Sequence, residues 1–273
     1  MMRNLKLTFP YFLLVLLFAI PVVFSGCSTA LVNNINGDQR SEQNQARDTA
    51  RHPQKTLAFF DVKPSSTVLE IWPGKGWYTE ILAPYLKQGG GQLIAAGFPL
   101  HVGPQWRQTM QQELQDYLAS KPTYYDAVSF VQIGPPSFWS LGEDNSVDTV
   151  LTFRNVHNWV KGGYEKEMFN AMYQVLKPGG VLGIVEHRAK PNTDIETMKQ
   201  SGYMTEQLVI ELAQQAGFVL ESRSEINANP KDTKDHAKGV WTLPPTLRLG
   251  DENQEKYVAI GESDRMTLKF RKK

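Results

Sequence analysis

Two glycines that follow an acidic residue mark the first candidate ligand site. The run at 68–71 is apolar apart from Glu70, and Gly74 and Gly76 come soon after it. Apolar and aromatic residues then recur at helical spacing, so the pattern predicts a strand, a tight loop and a helix. This order places backbone N–H groups and a helix N-terminus around a nucleotide-like ligand. The alternative is an ordinary turn between a strand and a helix.

Polar and titratable side chains follow the apolar run at 147–153. Arg154, Asn155, His157 and Asn158 all lie within five residues of its end. The imidazole of His157 is a possible general base toward an oxygen or nitrogen nucleophile. The alternative is that His157 only caps the segment that follows.

A third polar group ends the apolar run at 181–186. His187 and Arg188 come directly after it and are candidate ligands for an anionic substrate. The alternative is that these residues simply mark where a strand leaves the core. Parallel strands finish on one edge of a sheet, so this group and the one at 154–158 are expected on the same edge.

The spacing of the apolar runs predicts the elements that carry these residues. Short apolar runs alternate with helical patterns, which is typical of a parallel sheet buried on both faces. The sequence Lys177-Pro178-Gly179-Gly180 ends the helix predicted for 164–176, because proline cannot continue a helix and glycine tolerates the exit turn. The predicted strands are 68–71, 92–96, 127–133, 147–153, 181–186, 218–225 and 265–270.

The order of these elements, with several short motifs, resembles the class I S-adenosylmethionine-dependent methyltransferases. Glu70 with Gly74 and Gly76 matches that family's first motif, and 174–180 resembles its approach to the fifth strand. Two stretches, 70–85 and 260–270, look like a group of predicted exported bacterial methyltransferases. The resemblance implies an α/β fold: a Rossmann-like, doubly wound sheet of seven strands, mostly parallel, with an antiparallel final strand.

The same resemblance implies the function that we expect, a methyltransferase that uses S-adenosylmethionine as its cofactor and a small molecule or an envelope component as its substrate. The segment at Arg51 and His52 would close over the site, although a solvated helix start is the alternative. The tryptophans could also belong to the core. The segment 154–159 looks like the family's catalytic-edge motif, so the implied catalytic residues are His157 and Asn158. The implied cofactor-binding residues are Glu70, Trp72, Gly74, Gly76, Trp77, Tyr78 and Asn155, and the implied substrate-binding residues are Arg51, His52, Arg154, His187 and Arg188.

The chain departs from the family pattern at three positions. Trp72 stands where the family has its first glycine. The acid that usually ends the second strand and holds the ribose hydroxyls is replaced by the sequence at 95–98, and the acid near the adenine by Gly134-Pro135-Pro136. These departures favour an alternative function, a non-catalytic periplasmic ligand-binding protein that keeps the fold. A nicotinamide oxidoreductase is a third candidate, and the missing ribose carboxylate weakens it.

The N-terminus has the features of an export signal. Arg3 and Lys6 precede an uncharged apolar run, and small residues come directly before Cys27. We expect a signal peptide at 1–26 and a lipidated Cys27 with a flexible tether at 27–48, the latter because 33–48 is polar. The protein would then lie on the periplasmic face of a bacterial membrane, with the outer membrane favoured. An uncleaved membrane anchor is the alternative.

Composition limits the number of domains and the kinds of partner. The length suits one large α/β domain, which we place at 49–273. Lys and Arg number 29 and Asp and Glu 28, a balance that argues against nucleic acid as a partner. Cys27 is the only cysteine, and the five histidines lack a paired i, i+4 arrangement, so no metal site is expected.

The one long irregular stretch is 226–263, which joins the last two predicted strands. If the final strand is antiparallel, this loop begins and ends on the edge where the parallel strands finish. Loops of this length in compact domains are usually functional or disordered. We expect a flap that covers the substrate, with disorder as the alternative.

Overall fold

Seven strands form one mixed sheet flanked by helices. A computed structural model describes residues 25–273, with side chains from residue 29 onward. The strands are β1 (Thr67–Ile71), β2 (Gln92–Gly97), β3 (Ser129–Gln132), β4 (Val147–Phe153), β5 (Leu176–His187), β6 (Phe218–Ser224) and β7 (Arg265–Lys272). The helices are α1 (Ser25–Ile35), α2 (Glu42–Gln45), α3 (Asp48–Arg51), α4 (Pro53–Phe59), α5 (Thr79–Gln88), α6 (Gln105–Ala119), α7 (Pro122–Tyr125), α8 (Val156–Gly162), α9 (Glu165–Val175), α10 (Ile195–Ser201), α11 (Glu206–Gln215) and α12 (Gln254–Ile260), with a 3-10 turn at Gly239–Thr242.

The strand order is β3-β2-β1-β4-β5-β7-β6. Strands β1 to β5 pair in parallel, and β7 is antiparallel to both β5 and β6. The predicted Rossmann-like, doubly wound fold with an antiparallel final strand is therefore confirmed. The chain order reverses between β1 and β4, and the crevice beyond their carboxyl ends is the usual ligand site of such sheets.

The two central strands send alternate side chains into two separate cores. Val68 packs on the side of α1, α4, α5 and α6, whereas its neighbour Leu69 packs on the side of α8 to α11. Leu151 and Val150 divide in the same way on β4. Successive residues of a strand point to opposite faces, so the near-continuous apolar runs of the sequence cover both faces of the sheet.

The segment 33–48 is folded, which corrects the prediction of a flexible tether. Leu31 and Ile35 of α1 are buried against α5. The Arg40 side chain is fully buried, and its guanidinium donates to the Ile35 carbonyl and to both carboxylate oxygens of Asp48. Polar composition misled the prediction because these side chains satisfy buried backbone groups and one another instead of facing water.

One of those contacts compensates for a proline inside α5. Pro84 has no N–H, so the carbonyl of Glu80 lacks its helical donor. The Gln39 side chain supplies the missing donor, with its Nε2 3.2 Å from that carbonyl oxygen. The N-terminal segment is thereby fixed to the helix that follows β1.

The predicted signal peptide at 1–26 lies almost wholly outside the described residues. Cys27 falls in α1, but the description of side chains begins after it. Within residues 25–273, no helix combines the length and the hydrophobicity needed to cross a bilayer.

The long connection 226–263 is ordered and lies over the ligand edge. Its two ends are fastened by buried polar side chains. Asn227 donates to the hydroxyls of Thr56 and Thr267. The Asp232 carboxylate accepts from the Tyr203 hydroxyl at 2.9 Å and from the backbone N–H of Asp264 at 2.7 Å. These contacts hold the 3-10 turn Gly239–Thr242 above the carboxyl ends of the central strands.

Candidate functional site

A cavity of about 570 Å³ lies beyond the carboxyl ends of β1, β4 and β5. Its walls come from these strand ends, from the N-terminal segment and from the loop 226–263. The lining residues are Gln43, Asn44, Arg47, Arg51, Glu70, Trp72, Pro73, Gly74, Lys75, Trp77, Tyr78, Phe153, Arg154, Asn155, His157, His187, Val240, Trp241, Pro244, Pro245, Thr246, Glu262 and Ser263. The volume is in the range of small-molecule sites.

The backbone turns sharply at the ends of the two central strands. Trp72 after β1 and Arg154 after β4 both adopt positive φ, 45° and 63°. A large side chain in this region is uncommon and costs energy, and such residues cluster at functional sites. Asn155 supports both turns, because its Nδ2 donates to the Ile71 carbonyl at 2.9 Å and to the Thr152 hydroxyl at 3.2 Å.

Glu262 is the centre of an arginine cluster at one end of the cavity. Arg47 Nε lies 2.8 Å from its carboxylate, Arg51 Nε 3.2 Å and Arg265 Nη1 3.0 Å. Burial alone would raise the pKa of this carboxyl, but Arg51 and Arg265 lead a set of guanidinium groups that lowers it to about 2. Glu262 is therefore ionised at any physiological pH, and its single negative charge faces several guanidinium groups.

Arg154 is paired with no carboxylate in the part of the chain that the structure describes. Its guanidinium forms no hydrogen bond or ion pair with any residue that the structure describes, and it lies inside the cavity. Burial lowers its pKa to about 10, against the opposing effect of Glu262. Burial and the charge of Arg154 also lower the pKa of Arg51. At a pKa of about 10, Arg154 remains cationic near neutral pH.

The other end of the cavity contains two histidines held by buried partners. His157 Nδ1 lies 3.0 Å from the Glu186 carboxylate, which also accepts from the backbone N–H groups of His157 and His187. His187 Nδ1 lies 2.5 Å from the Ser263 hydroxyl. Burial, followed by the charges of His157 and Arg154, lowers the pKa of His187 well below its ordinary range, so this ring is neutral near pH 7. A histidine oriented by a carboxylate can transfer a proton.

The two histidines and Glu186 also form a group that could hold a metal ion, although the sequence predicted no metal site. His157, Glu186 and His187 place potential ligand atoms within 4.8 Å of one another. The sequence placed these residues on the same edge of the sheet, but the histidine spacing gave no sign of a shared site, because the group joins the start of α8 to the end of β5. The Glu186 carboxylate already accepts three hydrogen bonds and is fully buried, so it serves to orient His157 in the present arrangement.

Glu70 and Tyr78 form the wall next to β1. Glu70 is buried and accepts from the Thr79 hydroxyl at 2.7 Å, and burial raises its pKa to about 7 despite that bond. The Tyr78 ring stacks on Phe153 with centroids 3.6 Å apart. Trp77 donates from its indole nitrogen to the Asn44 carbonyl and lies beneath the guanidinium of Arg51. The N-terminal segment is thus part of the cavity wall.

Trp72 fills the region where the family resemblance places the cofactor's ribose and adenine. Its indole lies 4.5 Å from Phe98, which follows β2, and its Nε1 donates to the carbonyl of Ile133, which follows β3, at 3.0 Å. Trp159 and Tyr164 pack edge-on against it. Within the described part of the chain, the loops after β2 and β3 contribute nothing to the cavity lining. S-adenosylmethionine in the family's pose therefore does not fit these residues.

The structure brings together most of the residues proposed from sequence but leaves four outside the cavity. Gly76 faces α6, since a Cβ there would lie 2.8 Å from Leu114 Cδ1. Asn158 is on α8 away from the lining, and His52 borders a separate surface depression beside α1. Arg188 is engaged by the carboxylates of Glu206, Glu225 and Asp264.

Several lining residues were not predicted. Gln43, Asn44 and Arg47 lie in the supposed tether, so their polarity was taken as a sign of solvation. Glu262 and Ser263 could have been found, because they immediately precede β7, whose start lies on the ligand edge. Trp241 belongs to the loop for which a flap was expected, and its ring packs edge-on to His157 at 6.0 Å.

Comparison with solved structures identifies the fold. An S-adenosylmethionine-dependent methyltransferase from Aquifex aeolicus matches with a TM-score of 0.53 at 18% identity, over 67% of this chain and 87% of that chain. A Galdieria sulphuraria protein assigned as a sarcosine dimethylglycine methyltransferase matches at 0.57 and 17%, over 86% and 88%. The 4+2 cyclase SpnF matches at 0.59 and 16%, over 90% and 93%.

At these identities the similarity shows the class I S-adenosylmethionine-dependent methyltransferase fold and nothing finer. No protein-family model matches the sequence, and no curated protein matches it either.

Proposed function

We propose that this chain is an exported ligand-binding protein that keeps the methyltransferase fold but binds a small molecule other than S-adenosylmethionine. The observation that carries the proposal is the position of Trp72. Its indole occupies the space beyond β2 and β3 and is fixed there by the Ile133 carbonyl, Phe98 and Tyr164. A nucleoside in that place would have to displace a buried tryptophan from an aromatic cluster.

The charge of the cavity supports the same conclusion. S-adenosylmethionine has one carboxylate, one ammonium and one sulfonium group, so its net charge is positive. Arg47, Arg51 and Arg154 line the cavity, and among the described residues Glu262 is the only carboxylate paired with the first two. A cationic ligand would therefore be repelled from most of the wall.

An S-adenosylmethionine-dependent methyltransferase is the second candidate. It is favoured by the fold and by Glu70 and Gly74, which line the cavity where the family resemblance expects them. His157 could then serve as the base that the sequence suggested. Similarity of fold alone does not decide the matter, because folds host unrelated functions and the similar structure SpnF is named as a cyclase.

Calorimetry with purified protein distinguishes the two candidates. We expect no heat of binding with S-adenosylmethionine at millimolar concentration. Native mass spectrometry of the freshly purified protein is expected to reveal either no ligand or one of another mass. Saturable binding of S-adenosylmethionine at micromolar concentration would overturn the proposal and favour the methyltransferase.

The proposed location follows from residues 1–27. Arg3, Lys6 and the apolar run support export, and the small residues before Cys27 support lipidation of that cysteine. The ligand would then be a small molecule or an envelope component on the periplasmic side, and nucleic acid is not expected. A Cys27→Ala variant should lose its partition into membranes on fractionation. If the mature-size variant still sediments with membranes, the lipoprotein assignment is wrong.

A further inference from the structure

We infer that the cavity holds its ligand by an oxyanion carrying at least two negative charges, a phosphoryl group or a pair of carboxylates, bound between Arg47, Arg51 and Arg154. The inference rests on the proposed function and names the class of ligand for that same cavity.

The first step is the charge of the arginine cluster. Arg47, Arg51 and Arg265 all contact Glu262, and Arg154 lies close enough to shift the pKa of that carboxyl. One carboxylate therefore faces four guanidinium groups. Buried charge of one sign is costly without a partner, and cationic excess at a cavity wall is what an anionic ligand would neutralise. A single carboxylate on the ligand would leave most of the excess positive charge without a partner.

The second step is the set of free donors. Arg51 is 2% exposed, and its Nη2 finds no hydrogen-bond acceptor among the described residues. The same holds for Nη2 of Arg47. Arg154 uses none of its five donors on the described part of the chain. Guanidinium forks match the oxygens of phosphate and carboxylate groups, so these donors suit a ligand with several acceptor oxygens.

The third step is how the arginines are held. The Arg51 guanidinium stacks 4.6 Å over the Trp77 ring, and its Nε is bound to Glu262. Arg154 itself adopts the positive φ after β4, in a turn that Asn155 supports, and this backbone turn places it at the same cavity. Arg51 is therefore positioned before any ligand arrives, which reduces the side-chain entropy that binding would lose.

The remainder of the cavity restricts the size and the polarity of the part of the ligand that lies beyond the oxyanion. Beyond the arginines lie the stacked rings of Tyr78 and Phe153 and the indole of Trp241. His157 and His187 face each other with ring centroids 5.3 Å apart. The ligand is accordingly a small molecule with an anionic end and a compact, partly apolar body that reaches the histidines.

The test uses inorganic phosphate, pyrophosphate and citrate as probes in isothermal titration calorimetry at low ionic strength. We expect wild type to bind pyrophosphate or citrate more tightly than a monoanion such as acetate. Arg154→Gln should weaken that binding about 30-fold or more, since it removes a charge that contacts the oxyanion. Arg154→Lys should give an intermediate loss. The control is Arg223→Gln, an exposed arginine with a single long ion pair, which should bind as wild type does.

Thermal unfolding with and without probe distinguishes a loss of ligand binding from a change in the stability of the variant itself. Without probe, Arg154→Gln should melt at or above the wild-type temperature, because an unneutralised charge has been removed. With probe, only wild type and Arg223→Gln should gain stability. Failure of wild type to bind any of the three polyanions, or equal binding by Arg154→Gln, would overturn the inference. That outcome is independent of the S-adenosylmethionine titration, which tests the proposed function alone.

Discussion

The indole nitrogen of Trp72 donates a hydrogen bond to the carbonyl oxygen of Ile133 at 3.0 Å. This bond joins the loop after β1 to the loop after β3 across the end of β2. In a sheet of this order the three loops border the ligand crevice. Trp72 thus closes half of the crevice, and the open half is the arginine-lined cavity beside β4 and β5.

Replacing Trp72 by glycine should lower the free energy of unfolding. Loss of a buried tryptophan usually lowers the free energy of unfolding by about 3–5 kcal/mol, and glycine recovers about 1 kcal/mol at a positive φ. We therefore expect Trp72→Gly to lose about 2–4 kcal/mol in urea unfolding. Trp106 belongs to the same aromatic cluster but is 56% exposed, so Trp106→Ala should lose about 1 kcal/mol or less. Equal losses in the two variants would contradict the role given to Trp72.

The two loop glycines should respond differently to alanine. Both have positive φ, so each substitution costs about 1–2 kcal/mol in backbone strain. A Cβ on Gly74 meets nothing within 4 Å, whereas one on Gly76 lies 2.8 Å from buried Leu114 Cδ1. Gly76→Ala should therefore lose about 1 kcal/mol more stability than Gly74→Ala.

Ligand affinity provides the second readout for this pair. Gly76 faces α6, so Gly76→Ala should leave probe binding unchanged once the protein is folded. The family resemblance implied instead that Gly76 contacts the cofactor. Weaker binding with unchanged stability in Gly76→Ala would restore that interpretation.

The buried carboxyl of Glu70 should make the stability depend on pH. Its pKa is raised by burial from 4.5 to about 7, so the folded state binds a proton that the unfolded state releases between these values. The free energy of unfolding should fall as pH rises through this window, by about 3 kcal/mol from this group. Glu70→Gln keeps an acceptor for Thr79 and removes the titration. The difference between wild type and variant in urea unfolding at pH 4.5 and pH 8 measures the effect, and a constant difference would refute it.

The buried side chain of Arg40 tests whether 33–48 is part of the fold. Arg40→Ala leaves Asp48 and the Ile35 carbonyl without a donor, and we expect a loss of about 2–4 kcal/mol. Arg223→Ala, which removes one exposed ion pair, should change stability by about 0.5 kcal/mol or less. A tether would make both substitutions neutral, so thermal melting of the pair distinguishes the two descriptions.

The sequence predicted the sheet well because strands buried on both faces carry a strong local signal. Strand β4 begins and ends at the predicted residues 147 and 153, and β7 is antiparallel as expected. Strand β5 begins at Leu176, five residues before the predicted start at Val181. Leu176 already pairs with Val147, so the chain enters the sheet directly from α9, before the glycines that were expected to form the turn.

The site was harder to predict because its charges come from distant segments. Arg51 and Glu262 are 211 residues apart in the chain, and no spacing rule connects them. The β1 motif indicated a ligand edge correctly. It could not indicate that Trp72 would lie over the neighbouring strands, because the direction of a side chain at a positive φ depends on the packing around it.

Helix α1 bears on how the protein would sit on a membrane. Leu31, whose side chain is in the core, is four residues beyond Cys27, a distance of about 6 Å along a helix. A flexible segment of 15 residues would instead allow excursions of roughly 20 Å. Lipid attached at Cys27 would therefore hold the domain close against the bilayer in a restricted orientation. The cavity would then be accessible mainly to molecules close to that membrane surface. The domain would reorient together with its lipid anchor and not independently of it.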